Sequence, residues 1–199
     1  MQSKKILMVL GSPNKNSLST AANKFVVSEL MKKYPNSEVS ILNLSDSLFA
    51  KYTLNANNMD TFWTNVESGK WIDILKQTDI LVLSTPMNNF NYSALVKNFL
   101  DGICVANKTF SYKYSKQGGS VGLLNNLSVI ILATQGAPLG WYPFGDHVTN
   151  LKGTFNFLGA KQIESFLIDG TKVAPRRTMT NEDIIKEVSA SLKEVANKF

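Results

Sequence analysis

Three apolar runs, broken only by Ser128 in the third, constrain the fold of this chain more than any other feature of its sequence. They span residues 6–10, 80–83 and 127–133, and a polar segment rich in Gly, Pro, Ser or Asn follows each one. Strands that are solvated on one face alternate apolar and polar residues, whereas strands buried on both faces read as continuous apolar runs. The three runs therefore predict central strands of a parallel sheet that is covered on both faces.

Amphipathic helical patterns separate these runs. One apolar face recurs at helical spacing over residues 22–30, a second over 96–103, and a third over 144–158, where Gly159 is suited to end the helix. The spacing Thr180-x-x-Asp183 predicts a capping box that opens a last helix.

Two more strands, predicted at residues 39–44 and 162–168, complete a set of five that alternates with helices. This order predicts the α/β class, with residues 1–199 forming a single domain. Its doubly wound, five-stranded parallel sheet is expected to have flavodoxin-like order and helices on both faces. The chain is longer than a minimal domain of this kind, and the surplus lies at residues 45–78 and 105–126. We expect a dimer contact and a substrate pocket to be built there.

The first of three polar loops at the carboxyl ends of the apolar strands spans residues 11–19. Ligands of such folds bind at this edge of the sheet. The loop contains Ser12, Ser17 and Ser19 and leads into a helix, where free N–H groups and the helix dipole favour an anion. It lacks GxxxxGK[ST] and GxGxxG, so it is suited to a phosphate monoester held by neutral donors rather than to a nucleoside triphosphate or a dinucleotide. Ser17 or Ser19 serving only as a helix cap is equally compatible with the sequence.

The second and third loops predict a slot for a flat ring. Residues 85–92 place a thioether, amides and an aromatic ring side by side, a set that can cover the face and polar rim of a heterocycle. An ordinary Asn-rich turn is the alternative. In residues 134–140, Gly136 allows the backbone to approach a ring closely. Flavin mononucleotide (FMN) satisfies all three loops, with one phosphate, one flat ring and one polar edge.

Composition excludes several classes of function. With one cysteine, Cys104, and one histidine, His147, the chain can form neither an intramolecular disulfide nor a Cys/His metal site, so no metal is expected. Nineteen of the 21 basic residues are Lys and no basic run exceeds two residues, which does not favour nucleic-acid binding despite the net charge of +6. No segment approaches the roughly 20 apolar residues of a membrane span. We therefore expect a cytoplasmic protein that binds neither nucleic acid nor membranes.

Four segments in order resemble the FMN-dependent NADH azoreductase and quinone reductase family. They are Gly11-Ser12-Pro13 with Ser17-Leu18-Ser19, then residues 86–91, 96–101 and 109–112. The resemblance implies a homodimer with FMN near the dimer interface. It also implies ping-pong chemistry in which NADH reduces the flavin by hydride transfer and the flavin then reduces a quinone or an azo compound.

The resemblance also implies roles for particular residues, and it assigns the chemistry to the flavin rather than to a catalytic side chain. The FMN phosphate would be bound by Ser12, Ser17, Leu18 and Ser19. Residues Met87, Asn88, Asn89 and Phe90 would line the isoalloxazine ring, and Thr134, Gln135, Gly136 and Ala137 would lie at its other edge. Tyr112 and Phe110 would belong to the substrate pocket, with Tyr112 contributed from the partner subunit.

Two positions depart from the family pattern. Many relatives have an aromatic residue at the position of Asn88, which bears on substrate preference. They also have a Ser-Arg-Gly-Gly-like stretch at residues 134–137, so this chain lacks a cation there, with consequences for NADH affinity or reduction potential.

Several alternatives remain open at this point. A non-enzymatic flavodoxin-like electron carrier is the second functional hypothesis, although such carriers are usually smaller and acidic. The segment 141–144 either covers the pocket or packs a dimer. We expect His147 to be a surface or half-buried residue and Cys104 to be a small buried one.

Overall fold

The computed structural model describes residues 3–113 and 119–199, and its core is a parallel sheet of five strands. The strands in chain order are β1 (Lys5–Leu10), β2 (Glu38–Asn43), β3 (Ile80–Asn88), β4 (Asn91–Tyr92), β5 (Phe110–Ser111), β6 (Val121–Gly122), β7 (Ser128–Thr134) and β8 (Gln162–Ile168). The parallel order is β2-β1-β3-β7-β8, which is the predicted flavodoxin-like order. Short β4 folds back on the end of β3, and β5 pairs with β6 as a separate hairpin.

In the described part of the chain, seven α-helices connect and cover the strands. They are α1 (Leu18–Lys33), α2 (Phe62–Asn65), α3 (Ser68–Gln77), α4 (Ala94–Ile103), α5 (His147–Phe157), α6 (Asn181–Glu187) and α7 (Ser189–Asn197). Single 3₁₀ turns lie at Leu44–Asp46, Leu48–Ala50 and Arg176–Thr178. Among the described residues, none of these helices combines the length and the apolar character needed to cross a bilayer.

Each apolar run supplies side chains to two cores, one on each face of the sheet. In β1, Leu7 and Val9 pack under α3, α4 and α5, whereas Ile6 and Met8 pack under α1, α6 and α7. The same alternation holds in β3 and β7, and all seven residues of β7 are buried. Continuous apolar sequence was therefore a correct indicator of strands covered on both faces.

Strand β3 is longer than the sequence predicts, because it does not end at Thr85-Pro86. Its pairing with β7 continues to Pro86, opposite Thr134, whereas its pairing with β1 ends at Ser84. Beyond Ser84 the strand has a parallel neighbour on one side only, so the missing N–H of proline interrupts no ladder there. This extension carries the following residues to the carboxyl edge of the sheet.

Two predicted helices need correction. The helix predicted over residues 144–158 begins at His147, because Asp146 caps it by accepting a hydrogen bond from Thr149 N at 2.9 Å, and Phe144 is left exposed before it. Gly159 ends this helix as predicted, with φ of +92°. The capping box at Thr180 is confirmed, but the helix it opens divides at Val188 into α6 and α7.

The first excursion, residues 45–78, is a part of the core. Its large side chains Phe49, Phe62, Val66, Ile72 and Leu75 are fully buried against α4 and the sheet. None of its residues lines the cleft described below in the single chain, and a dimer contact or substrate pocket built from this excursion stays a prediction. In the second excursion, residues 114–118 lie outside the described residues, and the remainder forms the β5–β6 hairpin.

His147 is buried at the start of α5, not at the surface or half-buried as the sequence suggests. Its Nε2 has no hydrogen-bond partner among the described residues, and burial lowers its pKa, an effect that the neighbouring Asp146 carboxylate opposes. The folded state therefore binds a proton at this ring less readily than the unfolded chain does.

Lowering the pH is therefore expected to destabilise the protein through His147. Because the folded-state pKa is lowered, the contribution of His147 to the free energy of unfolding is present above about pH 6.5, the ordinary pKa of histidine. This contribution is lost as the pH falls below that value. Urea unfolding at pH 7.5 and 5.5 measures the effect. We expect the free energy of unfolding to fall more for the native chain than for His147→Gln, and equal losses would contradict this.

Candidate functional site

A cleft of about 600 Å³ opens at the carboxyl ends of the central strands, where the sequence places the site. All three predicted loops contribute to it. Its lining includes these predicted residues: Ser12, Ser17, Leu18, Met87, Asn88, Asn89, Thr134, Gln135 and Gly136. The structure thus brings together nine residues that are separated by up to 124 positions in the chain, from Ser12 to Gly136.

The first loop presents unpaired N–H groups at the start of α1. Ser12 Oγ accepts a hydrogen bond from Asn14 N at 3.1 Å, and Asn14 Oδ1 accepts one from Asn16 N at 3.1 Å. The N–H groups of Ser17, Leu18 and Ser19 have no acceptor among the described protein atoms. Three such donors at the positive end of a 16-residue helix are suited to an anion.

Ser17 and Ser19 form one hydroxyl pair, with 2.9 Å between their Oγ atoms. Ser17 Oγ also accepts from Thr20 N at 3.5 Å, a long helix-capping contact. Ser19 is fully buried and does not line the cleft itself. The structure is therefore compatible with both interpretations of Ser17, as a cap and as a ligand of an anion, whereas Ser19 supports Ser17 from beneath.

The second loop is a tight turn between β3 and β4. Asn89 and Phe90 have φ of +46° and +71°, and Asn88 pairs with Asn91 across the turn. Positive φ suits Asn but is strained for a phenylalanine. Packing holds Phe90 there, since its ring centroid lies 5.0 Å from that of Tyr142 and 4.9 Å from that of Phe144.

The third loop is joined to the segment that follows β8 by a ladder of hydrogen bonds. Lys172 N donates to Gly136 O at 2.9 Å, Gly170 N donates to Ala137 O at 2.9 Å, and Thr171 donates to Gln135 O through both its N (3.1 Å) and its Oγ1 (3.0 Å). No acceptor lies near the N–H groups of Gly136 and Ala137 among the described protein atoms. This edge of the cleft is therefore a fixed backbone surface with free donors.

Sequence reasoning missed the fourth side of the cleft. It is formed by Thr171, Lys172, Arg176, Arg177, Met179, Asn181 and Ile184. Two signals point to this segment: it follows the carboxyl end of the fifth predicted strand, and it contains both arginines of the chain. Residues 134–137 contain no cation, as the sequence shows. The cleft is nevertheless not short of positive charge, because Lys172, Arg176 and Arg177 line it from this segment.

The two adjacent arginines differ in their surroundings. Arg176 is ion-paired with Glu187 at 2.8 Å and with Asp169 at 3.4 Å, and these partners raise the pKa of its guanidinium. Arg177 is exposed and forms no ion pair with any described residue. Asn181 Nδ2 donates to Asn16 Oδ1 at 3.0 Å, which links this side of the cleft to the first loop.

A second pocket of about 360 Å³ adjoins the cleft. It shares Met87, Asn89, Gly136 and Lys172 with the cleft, and its other residues are Phe90, Ala137, Trp141, Tyr142 and Val173. Two predicted ring-binding residues, Phe90 and Ala137, therefore lie in this pocket and not in the main cleft. Trp141 and Tyr142 also line it, as expected if the segment 141–144 covers a pocket.

Phe110 and Tyr112 line neither pocket of the single chain. Phe110 packs on Phe157, with 4.9 Å between ring centroids, and Tyr112 is 62% exposed beside it. Cys104 is partly buried, and burial raises its pKa to about 11, so the thiol is not a ready nucleophile.

Comparisons with known proteins agree with this architecture. A family model described as "Flavodoxin-like fold" matches residues 4–192. The chain is 45% identical to an FMN-dependent NADH:quinone oxidoreductase of Malacoplasma penetrans over 98% of this chain and 93% of that protein. It is also 45% identical to the protein of the same name from Mycoplasmopsis pulmonis, over 92% of this chain and 93% of that one.

Two solved structures show the same fold at lower identity. An azoreductase from Bacillus anthracis str. Sterne superposes with a TM-score of 0.81 at 21% identity, covering 98% of this chain and all of that one. An FMN-dependent NADH-azoreductase from Bacillus anthracis str. Ames Ancestor, solved with FMN, gives a TM-score of 0.77 at 20% identity, covering 98% of each chain. Taken with the match over residues 4–192, these relatives show that the chain belongs to the flavodoxin-like family whose members include proteins named FMN-dependent NADH:quinone oxidoreductase.

Proposed function

We propose that this protein is an FMN-dependent oxidoreductase that uses NADH to reduce quinones and azo compounds. The observation that carries the proposal is the cleft itself, which joins a loop rich in free N–H groups to a slot between two rigid loops. The names of relatives at 45% identity over nearly the whole chain support the same activity.

The donors of the cleft fit FMN at both of its ends. The unpaired N–H groups of Ser17 and Leu18 would bind the phosphate, helped by the hydroxyl groups of Ser12 and Ser17. The ring would lie between Met87, Asn88 and Asn89 on one side and residues 134–136 on the other. A volume of about 600 Å³ is within the usual range for cofactor sites.

The roles of the chain's own residues are to bind and to orient. When bound, FMN supplies the hydride chemistry by accepting electrons from NADH and passing them to the acceptor. The free N–H groups of Gly136 and Ala137 provide donors for the polar rim of a ring. The adjoining pocket, with Phe90, Trp141 and Tyr142, would hold the nicotinamide and the acceptor in turn, and this exchange is the basis of a ping-pong mechanism.

We propose in addition that the protein is a cytoplasmic homodimer. Trp141, Phe144 and Tyr112 are large and exposed, and a second copy could cover them and bring Tyr112 to the pocket of its partner. Sedimentation equilibrium of the purified protein tests this, and a monomer at all concentrations would contradict it.

The proposed activity is tested with purified, FMN-loaded protein. Flavin absorption bands near ~450 nm are expected to remain after gel filtration. NADH oxidation is expected to depend on an added benzoquinone or azo dye. Bound flavin without turnover would instead support the electron-carrier alternative, and loss of all flavin would contradict both.

Arg177→Gln is expected to weaken FMN binding about tenfold at low salt, equivalent to about 1.4 kcal/mol, because an exposed, unpaired guanidinium in the cleft would attract the phosphate. The loss should shrink as salt is raised, and binding of riboflavin, which lacks the phosphate, should not change. Fluorescence titration measures both ligands.

Arg176→Gln is the matched control, because it removes the same charge from the neighbouring position. Its guanidinium already pairs with Asp169 and Glu187, so its loss is expected to lower the free energy of unfolding more than it changes FMN affinity. If the two variants weaken FMN binding equally, Arg177 has no special role in attracting the phosphate.

A further inference from the structure

Lys172 occupies the boundary between the cleft and the second pocket, since it lines both. Its backbone is held in place by the hydrogen bond from its N–H to Gly136 O, and the flanking residues Gly170 and Thr171 are bonded to the same loop. The position of this lysine is therefore set by a rigid backbone, although its side chain is exposed.

The methylene stem of Lys172 lies against Gly136. A Cβ built on Gly136 would come within 3.0 Å of Lys172 Cδ and 3.1 Å of Cγ, so the glycine leaves room for the stem to pass. A lysine stem can pack on such a surface while its ammonium group stays in a polar environment. Lys172 thus lies at the end of the cleft formed by the second and third loops.

No carboxylate of the described residues neutralises the charge of Lys172. It forms no ion pair with a carboxylate among residues 3–113 and 119–199, whereas Arg176 on the same segment has two. The other unpaired cation of the cleft, Arg177, belongs to the 3₁₀ turn Arg176–Thr178, which is not part of the ladder to Gly136. Lys172 is consequently available to a negative charge that develops beside Gly136.

We propose that Lys172 is the residue that favours the reduced, anionic form of the flavin and so raises its reduction potential. The inference rests on the proposed function. Uptake of two electrons and one proton leaves the flavin ring with one negative charge, and a cation carried nearby on a rigid backbone stabilises that state relative to the neutral oxidised ring.

The test compares Lys172→Met, which keeps an unbranched stem and removes the charge, with Lys172→Arg, which keeps the charge. The midpoint potential of bound FMN is measured by equilibration with a reference dye, using dithionite as reductant. We expect Lys172→Met to lose about tenfold in affinity for reduced relative to oxidised FMN, which is about 30 mV toward more negative potential. Lys172→Arg is expected to stay close to the native value.

Lys193→Met is the control for net charge, because Lys193 is exposed on α7 and lines a different groove. It is expected to leave the potential unchanged. The proposal is overturned if Lys172→Met retains the native potential, or if Met and Arg at this position shift it equally, which would indicate packing and not charge. If the native protein binds no FMN, the proposed function fails as well, and that result is distinct because no flavin spectrum is obtained.

Discussion

Replacing Gly122 by alanine is expected to leave little folded protein. The added Cβ would lie 2.2 Å from Gly159 N and 2.3 Å from Leu158 C, and these are backbone atoms at the end of α5 that cannot rotate away. Relief requires the β5–β6 hairpin to separate from that helix, with loss of the hydrogen bond from Leu124 N to Leu158 O. We expect the free energy of unfolding to fall by more than about 4 kcal/mol. Single substitutions cause losses of this size only through severe effects such as overpacking.

Gly153→Ala is the matched control for this substitution. Gly153 lies inside α5, and nothing approaches within 4 Å of the Cβ that alanine would add. Alanine is the better helix former by about 0.5–1 kcal/mol, so this variant should equal or exceed the native stability. Urea unfolding followed by circular dichroism measures both variants. Native stability in Gly122→Ala would show that the hairpin and α5 are not in this close contact.

Joint replacement of Ser17 and Ser19 by alanine is expected to weaken FMN binding about 100-fold. A hydrogen bond to a charged group contributes about 1.5–3 kcal/mol, and the variant removes the Ser17 hydroxyl at the anion site together with the Ser19 hydroxyl that holds it at 2.9 Å. Riboflavin has no phosphate, so its affinity should change little. The measurement is the dissociation constant of each ligand by fluorescence quenching.

Ser28→Ala serves as the control within the same helix. The Ser28 hydroxyl is exposed and donates only to Phe25 O, at 2.7 Å. Its removal is expected to leave the affinity for both ligands unchanged. If the double variant binds FMN as the native protein does, Ser17 and Ser19 are helix-capping residues and the phosphate is held by backbone N–H groups alone.

Periodicity predicted the sheet and the edge at which the site lies. The residues of β1 and β7 carry apolar side chains to both faces, and that pattern alone requires cover on both sides. Ser12, Met87 and Gly136 follow the carboxyl ends of parallel strands and therefore meet in one cleft, independently of the structure of the segments between them.

Other features depend on tertiary contacts that leave no local pattern. Phe90 has a positive φ, which phenylalanine rarely adopts. The contacts of its ring with Tyr142 and Phe144 stabilise this conformation. The contribution of Lys172 to the cleft depends on a hydrogen-bond ladder between two segments 36 residues apart, from Gly136 to Lys172. His147 is the first residue of α5, directly after the cap formed by Asp146, and no local pattern in the sequence indicates its burial there.

The hydrogen bond from Asn181 to Asn16 joins two segments that are 165 positions apart in the chain. Two walls of the cleft, one near each end of the sequence, therefore meet at this hydrogen bond. Local unfolding of α6 would open this wall without breaking a single bond of the central sheet. Release of a bound ligand can therefore follow the opening of a seven-residue helix rather than global unfolding. A ligand that bridges both walls should in turn slow amide hydrogen exchange in residues 176–187, far along the chain from the loop that binds its phosphate.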